Sequence, residues 1–75
     1  MKIQVKCFAT LAKFQPEDSE AYEVLDGAVV DDVVEELGVP RDELNIAFVN
    51  SARVSLDHEL QDGDRLGLFP LVGGG

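Results

Sequence analysis

The sequence has no tryptophan, one cysteine, one histidine and only six lysine and arginine residues among 75. A single cysteine excludes an internal disulfide framework, and with one histidine it leaves no Cys/His set for zinc. It also excludes an iron–sulfur cluster held by thiolates. Six cations against fifteen acids give a net charge of −9. So negative a surface repels phosphate backbones, whose binding needs clustered Lys and Arg. Nucleic acid and anionic membrane are therefore poor partners, and a basic protein surface is a good one. No apolar run approaches the roughly 20 residues of a membrane span. The opening Met1-Lys2-Ile3-Gln4-Val5-Lys6 alternates instead of forming the apolar core of a signal peptide, so a cytoplasmic location is expected.

What is present fits one small domain. Apolar residues at 45% and charged residues at 28% match an ordinary globular chain and exclude a wholly disordered one. At 75 residues the chain buries only about 60% of its unfolded surface, which argues against a deep, self-contained active site.

Ile3, Val5 and Cys7 face one way and Lys2, Gln4 and Lys6 the other, the period of a strand with one wet face. Ala9 to Phe14 reads as a short helical turn or ordered loop, followed by a polar connection through Pro16. Ala21 to Leu25 reads as a second strand with Tyr22 and Val24 inward, closed by an Asp26-Gly27 turn. Val30, Val33, Val34 and Leu37 form one apolar stripe of a short helix. Asp31 and Asp32 suit its positive end, Gly38 its stop, and Pro40 prevents continuation. Asn45 to Asn50 is apolar on both faces, as a central strand would be. A short strand around Arg53-Val54, an Asp62-Gly63-Asp64 turn and a last strand from Arg65 to Phe69, with Leu66 and Leu68 inward, complete the series.

One helix and a mixed four- or five-stranded sheet is the simplest way to bury all these apolar faces. The short gap between the helix and the Asn45–Asn50 strand makes the first and last strands parallel central neighbours. The expected fold class is α+β, of the β-grasp type. Residues 1–72 form the domain, and residues 73–75 form a flexible glycine tail.

That tail has no folding rationale. Glycine loses the most backbone entropy on ordering, so Gly73, Gly74 and Gly75 are expected to be a mobile arm leaving the last core strand. A strand without side chains can thread a narrow channel and present its terminal carboxylate to another protein's active site.

Leu60 to Gly75 reads Leu-Gln-Asp-Gly-Asp-Arg-Leu-Gly-Leu-Phe-Pro-Leu-Val-Gly-Gly-Gly. It resembles the C-terminal signature of the MoaD/ThiS ubiquitin-like sulfur carriers: a Leu, an Asp-Gly-Asp turn, an apolar strand, commonly Pro-Pro-Val, a small residue and Gly-Gly. Phe8 to Leu11, Gly27 to Gly38 and Phe48 to Asn50 agree with the same family in order and spacing. The resemblance covers essentially the whole chain and is closest to the small subunit of molybdopterin synthase, given Phe8-Ala9-Thr10-Leu11 and Phe69-Pro70. Leu71 stands where the family commonly has a second proline, and Ser51 where a glycine commonly follows the Val-Asn strand end. Gly73 takes the small-residue position and leaves Gly74-Gly75 as the working pair.

The resemblance implies a carrier and no catalytic residue of its own. A ubiquitin-activating-type adenylating enzyme (MoeB/ThiF-like) would adenylate the Gly75 carboxylate with ATP and magnesium, both used by that enzyme. A persulfide sulfur donor would then give a thiocarboxylate, delivered to the molybdopterin synthase large subunit. Alternatives are a thiamine-pathway sulfur carrier and a ubiquitin-like modifier conjugated to lysine. An alternative of another class is a non-covalent β-grasp adaptor. No cofactor is expected to be bound, because the terminal glycines precede no helix and form no phosphate loop.

Other residues read plainly. Cys7 is a buried small hydrophobe, and His58 is a solvated side chain with no partner motif. Asp57, Asp62 and Asp64 serve turns, since they do not fit a calcium loop. Phe48, Phe69, Pro70 and Leu71 are the candidate partner-binding residues, with Asp57, Glu59, Asp62 and Asp64 as an acidic rim toward a basic partner.

Overall fold

The alternation of the first strand carries straight into three dimensions. A computed structural model describes residues 1–71 of the chain, and in it β1 (Lys2–Cys7) buries Ile3, Val5 and Cys7 and exposes Lys2, Gln4 and Lys6. A 3-10 turn, Ala9–Phe14, follows and drops Leu11 fully into the core. Next come β2 (Tyr22–Glu23), α1 (Val30–Leu37), a second 3-10 turn (Arg41–Glu43), β3 (Leu44–Val49), β4 (Ala52–Val54) and β5 (Arg65–Pro70).

The sheet order is β2-β1-β5-β3-β4, with β1 and β5 parallel and the other pairs antiparallel. The middle strand is thus β5, and β3 lies one place further out than the central position its sequence suggests. β2 is shorter than the expected Ala21–Leu25. Val24 is buried and exchanges backbone hydrogen bonds with Met1, but Leu25 turns out to solvent at 83% exposure. The mixed five-stranded sheet on one main helix is the β-grasp, as the element order requires.

The helix is a poor helix former held by its packing. Val30, Val33 and Val34 are fully buried against Ile3, Val5, Leu66 and Leu68, in one core cluster that Leu60 joins. At its start the Val29 N–H donates to Asp32 Oδ2 at 2.9 Å, satisfying one of the free amides of the first turn. Gly38 ends it in the left-handed region at φ 77°, where glycine carries no Cβ penalty. Arg41 Nε donates to Asp31 Oδ1 at 2.7 Å, tying the following turn back to the helix and holding the Asp31 carboxyl below the usual range.

Two local features give direct tests. Asn50 and Ser51, between β3 and β4, both have positive φ (52° and 72°), as a hairpin turn that favours Asn-Gly requires. A serine there bears left-handed strain of about 1 kcal/mol. Ser51→Gly should therefore raise the melting temperature by a few degrees, partly offset by glycine's freedom in the unfolded chain. A thermal melt decides this, and an unchanged or lower midpoint would contradict the turn assignment.

The Tyr22 hydroxyl donates to Glu36 Oε1 at 2.6 Å, joining β2 to α1. Burial, and then the Glu36 hydrogen bond, push the Tyr22 phenol up to about 12 from 10. Because the folded value is the higher one, folding favours the protonated phenol. This contribution is fully present below pH 10 and disappears as pH rises from about 10 toward 12. Tyr22→Phe should therefore flatten the melting temperature of the protein across that alkaline window relative to wild type.

Candidate functional site

On the face of the sheet opposite α1, the strand parity that buries odd residues of β1 leaves its even residues outward. Lys6 and Phe8 stand on that face, and the Phe8 N–H donates to the Leu68 carbonyl at 3.0 Å, holding the ring beside β5. Ala9 at φ 52° then turns the chain into the 3-10 turn. In β5, Leu66 and Leu68 face the helix, so Gly67 and Phe69 face the other way. β3 contributes Phe48 in register with Gly67.

The three phenyl rings form one unit. Phe8 stacks on Phe69 with centroids 4.2 Å apart and ring planes 6° apart, while Phe48 meets Phe69 edge-on at 5.3 Å. Such pairs contribute about 0.5–1.5 kcal/mol each beyond the area they bury. Gly67 provides the floor: a Cβ there would lie 3.3 Å from the Phe8 ring and 3.7 Å from Phe69. The result is a shallow hollow of about 370 Å³ lined by the rings, Lys6, Ser51 and Arg65. All three rings remain only half buried, so the hollow presents an apolar surface that the chain itself does not cover.

The structure therefore brings Phe48 and Phe69 together and adds Phe8, which sequence reading did not place in a site. Its signal was available, because residue 8 shares the parity of Lys2, Gln4 and Lys6. Pro70 is separated from the others: it is buried, in step with Leu66 and Leu68 on the helix side. Leu71 is 54% exposed, and its N–H donates to the Glu43 carbonyl at 2.9 Å. Gly73, Gly74 and Gly75 lie outside the described residues.

The expected acidic rim is corrected. Asp64 is 7% exposed, with Oδ1 accepting from Asn50 Nδ2 at 2.9 Å and Oδ2 from the Gln61 N–H at 2.7 Å. Asp62 accepts from the Lys2 N–H, Asp57 from the Ser55 hydroxyl, and Glu59 bridges to Val29 beside the start of the helix. These residues serve turns and strand ends and none of them lines the hollow, whose charged lining residues are Lys6 and Arg65. Cys7 is 3% exposed on the core side, and burial pushes its thiol up, away from the reactive thiolate. Among the described residues no cluster of His, Cys, Asp and Glu could hold a metal ion, and no helix is long and apolar enough to cross a membrane.

A mixed five-stranded sheet on one helix, with an aromatic hollow on the open face, defines a ubiquitin-like β-grasp protein. The family model described as Mut7-C ubiquitin matches residues 1–73. The chain belongs to the Mut7-C ubiquitin family. Among solved structures it is similar to a Pyrococcus furiosus protein described as molybdopterin converting factor subunit 1. The two are 34% identical over 96% of this chain and 99% of that one, with a TM-score of 0.74. It is also similar to SAMP1, small archaeal modifier protein 1, of Haloferax volcanii: one structure is 26% identical over the full length of both chains, with a TM-score of 0.73. A second structure of that protein is 26% identical over 93% and 97% of the two chains, with a TM-score of 0.70. No curated protein matches the sequence.

Proposed function

We propose that this protein is a ubiquitin-like sulfur carrier whose Gly75 carboxylate is adenylated and converted to a thiocarboxylate, with molybdopterin biosynthesis as its pathway. The observation that carries the reading is the run Gly73-Gly74-Gly75, which in sequence comes two residues after Arg65–Pro70, the last strand of a β-grasp domain. The 34% identity over nearly the whole length of a molybdopterin converting factor subunit supports it. A carboxylate oxygen is a poor leaving group. Transfer of AMP from ATP, with loss of pyrophosphate, makes it a good one. The terminal sulfur of a persulfide then attacks the acyl carbon and AMP departs. A thiol cleaves the remaining S–S bond, leaving a disulfide and the thiocarboxylate. The chain's own side chains do none of this. ATP, magnesium and the persulfide belong to an adenylating enzyme and a sulfur donor, and the sulfur goes to a molybdopterin synthase large subunit.

Within this reading Phe8, Phe48 and Phe69 form the surface that seats the activating enzyme, with Leu71 beyond them toward the tail. The likeness to SAMP1, described as a modifier, favours a second reading in which Gly75 ends in an isopeptide bond to a lysine. One measurement separates them. Intact mass of the protein isolated from its own cells should show one oxygen replaced by sulfur at the C-terminus. A free carboxylate throughout, together with Gly-Gly-modified lysines in the lysate, would replace the carrier reading with the modifier.

A further inference from the structure

The cations of this acidic chain are gathered on one face. Of its six lysine and arginine residues, Lys2, Lys6, Arg53 and Arg65 occupy open-face strand positions. Arg65 is in register with Gln4, Lys6 with Gly67, and Arg53 with Phe48, so Lys6 and Arg65 line the aromatic hollow and Arg53 stands on the strand beside it. Among the described residues the hollow is lined by no carboxylate. On that side Glu20 shares an adjoining hollow with Gln4, Lys6 and Arg65, and Glu23 lies opposite Lys2 at the far edge. Among the described residues Lys6, Arg53 and Arg65 make no ion pair, whereas Arg41 on the helix side binds both Asp31 and Glu35.

Lys6 and Arg65 on a half-buried apolar hollow, with Arg53 on the next strand, repel one another, and no carboxylate of the described residues forms an ion pair with any of the three. Lys6 has a partial use within the fold, its Nζ lying 5.8 Å from the centre of the Phe8 ring. We propose that the open-face hollow receives a protein segment that presents an apolar side chain flanked by carboxylates. The apolar group sits against Phe8, Phe48 and Phe69, and the carboxylates meet Lys6, Arg53 and Arg65. The inference rests on the docking role of this face proposed above and specifies the charge of what docks there. A nucleic acid fits less well, because it carries a charge on every nucleotide. Most of those charges would fall on the acids beyond the rim of a −9 protein. A peptide can confine its carboxylates to the rim.

The test uses the full-length, nitrogen-15-labelled protein and three probes: a capped Asp-Glu-Phe-Leu-Glu-Asp peptide, the same peptide with lysines for the acids, and a uridine octanucleotide. The acidic peptide should shift the amides of Lys6, Phe8, Gly67 and Phe69, and its binding should weaken as salt rises. The double variant Lys6→Glu, Arg65→Glu, at two exposed positions, should bind it about five- to tenfold more weakly while melting like wild type. Preference for the lysine peptide, binding of the octanucleotide on this face, self-association through it, or no shift with any probe would each overturn the proposal. No ATP or activating enzyme takes part, so failure here leaves the tail chemistry standing, and a failure of tail activation leaves this result standing.

Discussion

Val33→Asp should leave the protein unfolded at room temperature. Val33 is fully buried, between the equally buried Val30 and Val34 and the sheet residues Ile3, Val5, Leu66 and Leu68. A carboxylate placed there has no cation in the core cluster to pair with, since every member of that cluster is apolar. Burying an unpaired charge costs several kcal/mol beyond the lost valine packing. A domain of 75 residues has a total stability of about 4–11 kcal/mol. The penalty is therefore comparable with everything the fold has. Val33→Ala, which removes two carbons, should cost about 2 kcal/mol and lower the melting temperature by about 10 °C. Glu35→Gln, on the exposed side of the same helix, should stay within about 0.5 kcal/mol of wild type. Far-ultraviolet circular dichroism and thermal melts separate the three. A Val33→Asp protein that melts like wild type would mean that this face of the helix does not pack on the sheet.

The same residues show why this much of the fold is readable from sequence. A helix stripe and a strand alternation are local periodicities. Val30, Val33, Val34 and Leu37 announce a face, and Ile3, Val5 and Cys7 announce another, before any partner is known. With one helix and strands in this order, few arrangements bury both faces, so the β-grasp follows. The length of β2 does not. Its pairing with β1 is short, and where such an edge ends depends on contacts such as the Met1–Val24 exchange that no local pattern contains.

The candidate site divides in the same way. Parity alone separates Pro70, in step with Leu66 and Leu68, from Phe69. The same parity puts Phe8 on the side of Lys6. The sign of charge around the hollow is a cross-strand property. It arises because Lys6 lies across from Gly67, Arg65 across from Gln4 and Arg53 across from Phe48, residues distant in sequence. Net charge suggests a protein that seeks basic surfaces. Register assembles a basic patch on it.

Gly74→Ala should abolish most ATP-dependent adenylation by the activating enzyme while leaving the fold unchanged. Every buried apolar residue of the core cluster lies at or before Leu68, and the described chain is tied at Leu71 to the Glu43 carbonyl. A methyl group at residue 74 is added outside the described core residues, and the melting temperature should match wild type. In the proposed chemistry the consequence is different. A site that admits an extended Gly-Gly and brings Gly75 to the α-phosphate of ATP has no room for a Cβ at the penultimate position. Misplacing the reacting carboxylate by about 1 Å can cost on the order of 100-fold in rate. Deleting Gly75 should have an effect at least as large. Cys7→Ser, by contrast, changes a side chain that is 3% exposed on the helix side of the sheet. In folded protein it should be activated at the wild-type rate, with only the stability cost of a buried hydroxyl. Pyrophosphate release and the mass of the C-terminal peptide read all three variants. Normal thiocarboxylation of both Gly74→Ala and the Gly75 deletion would place the reacting group elsewhere. Loss of the reaction in folded Cys7→Ser would place it at the thiol.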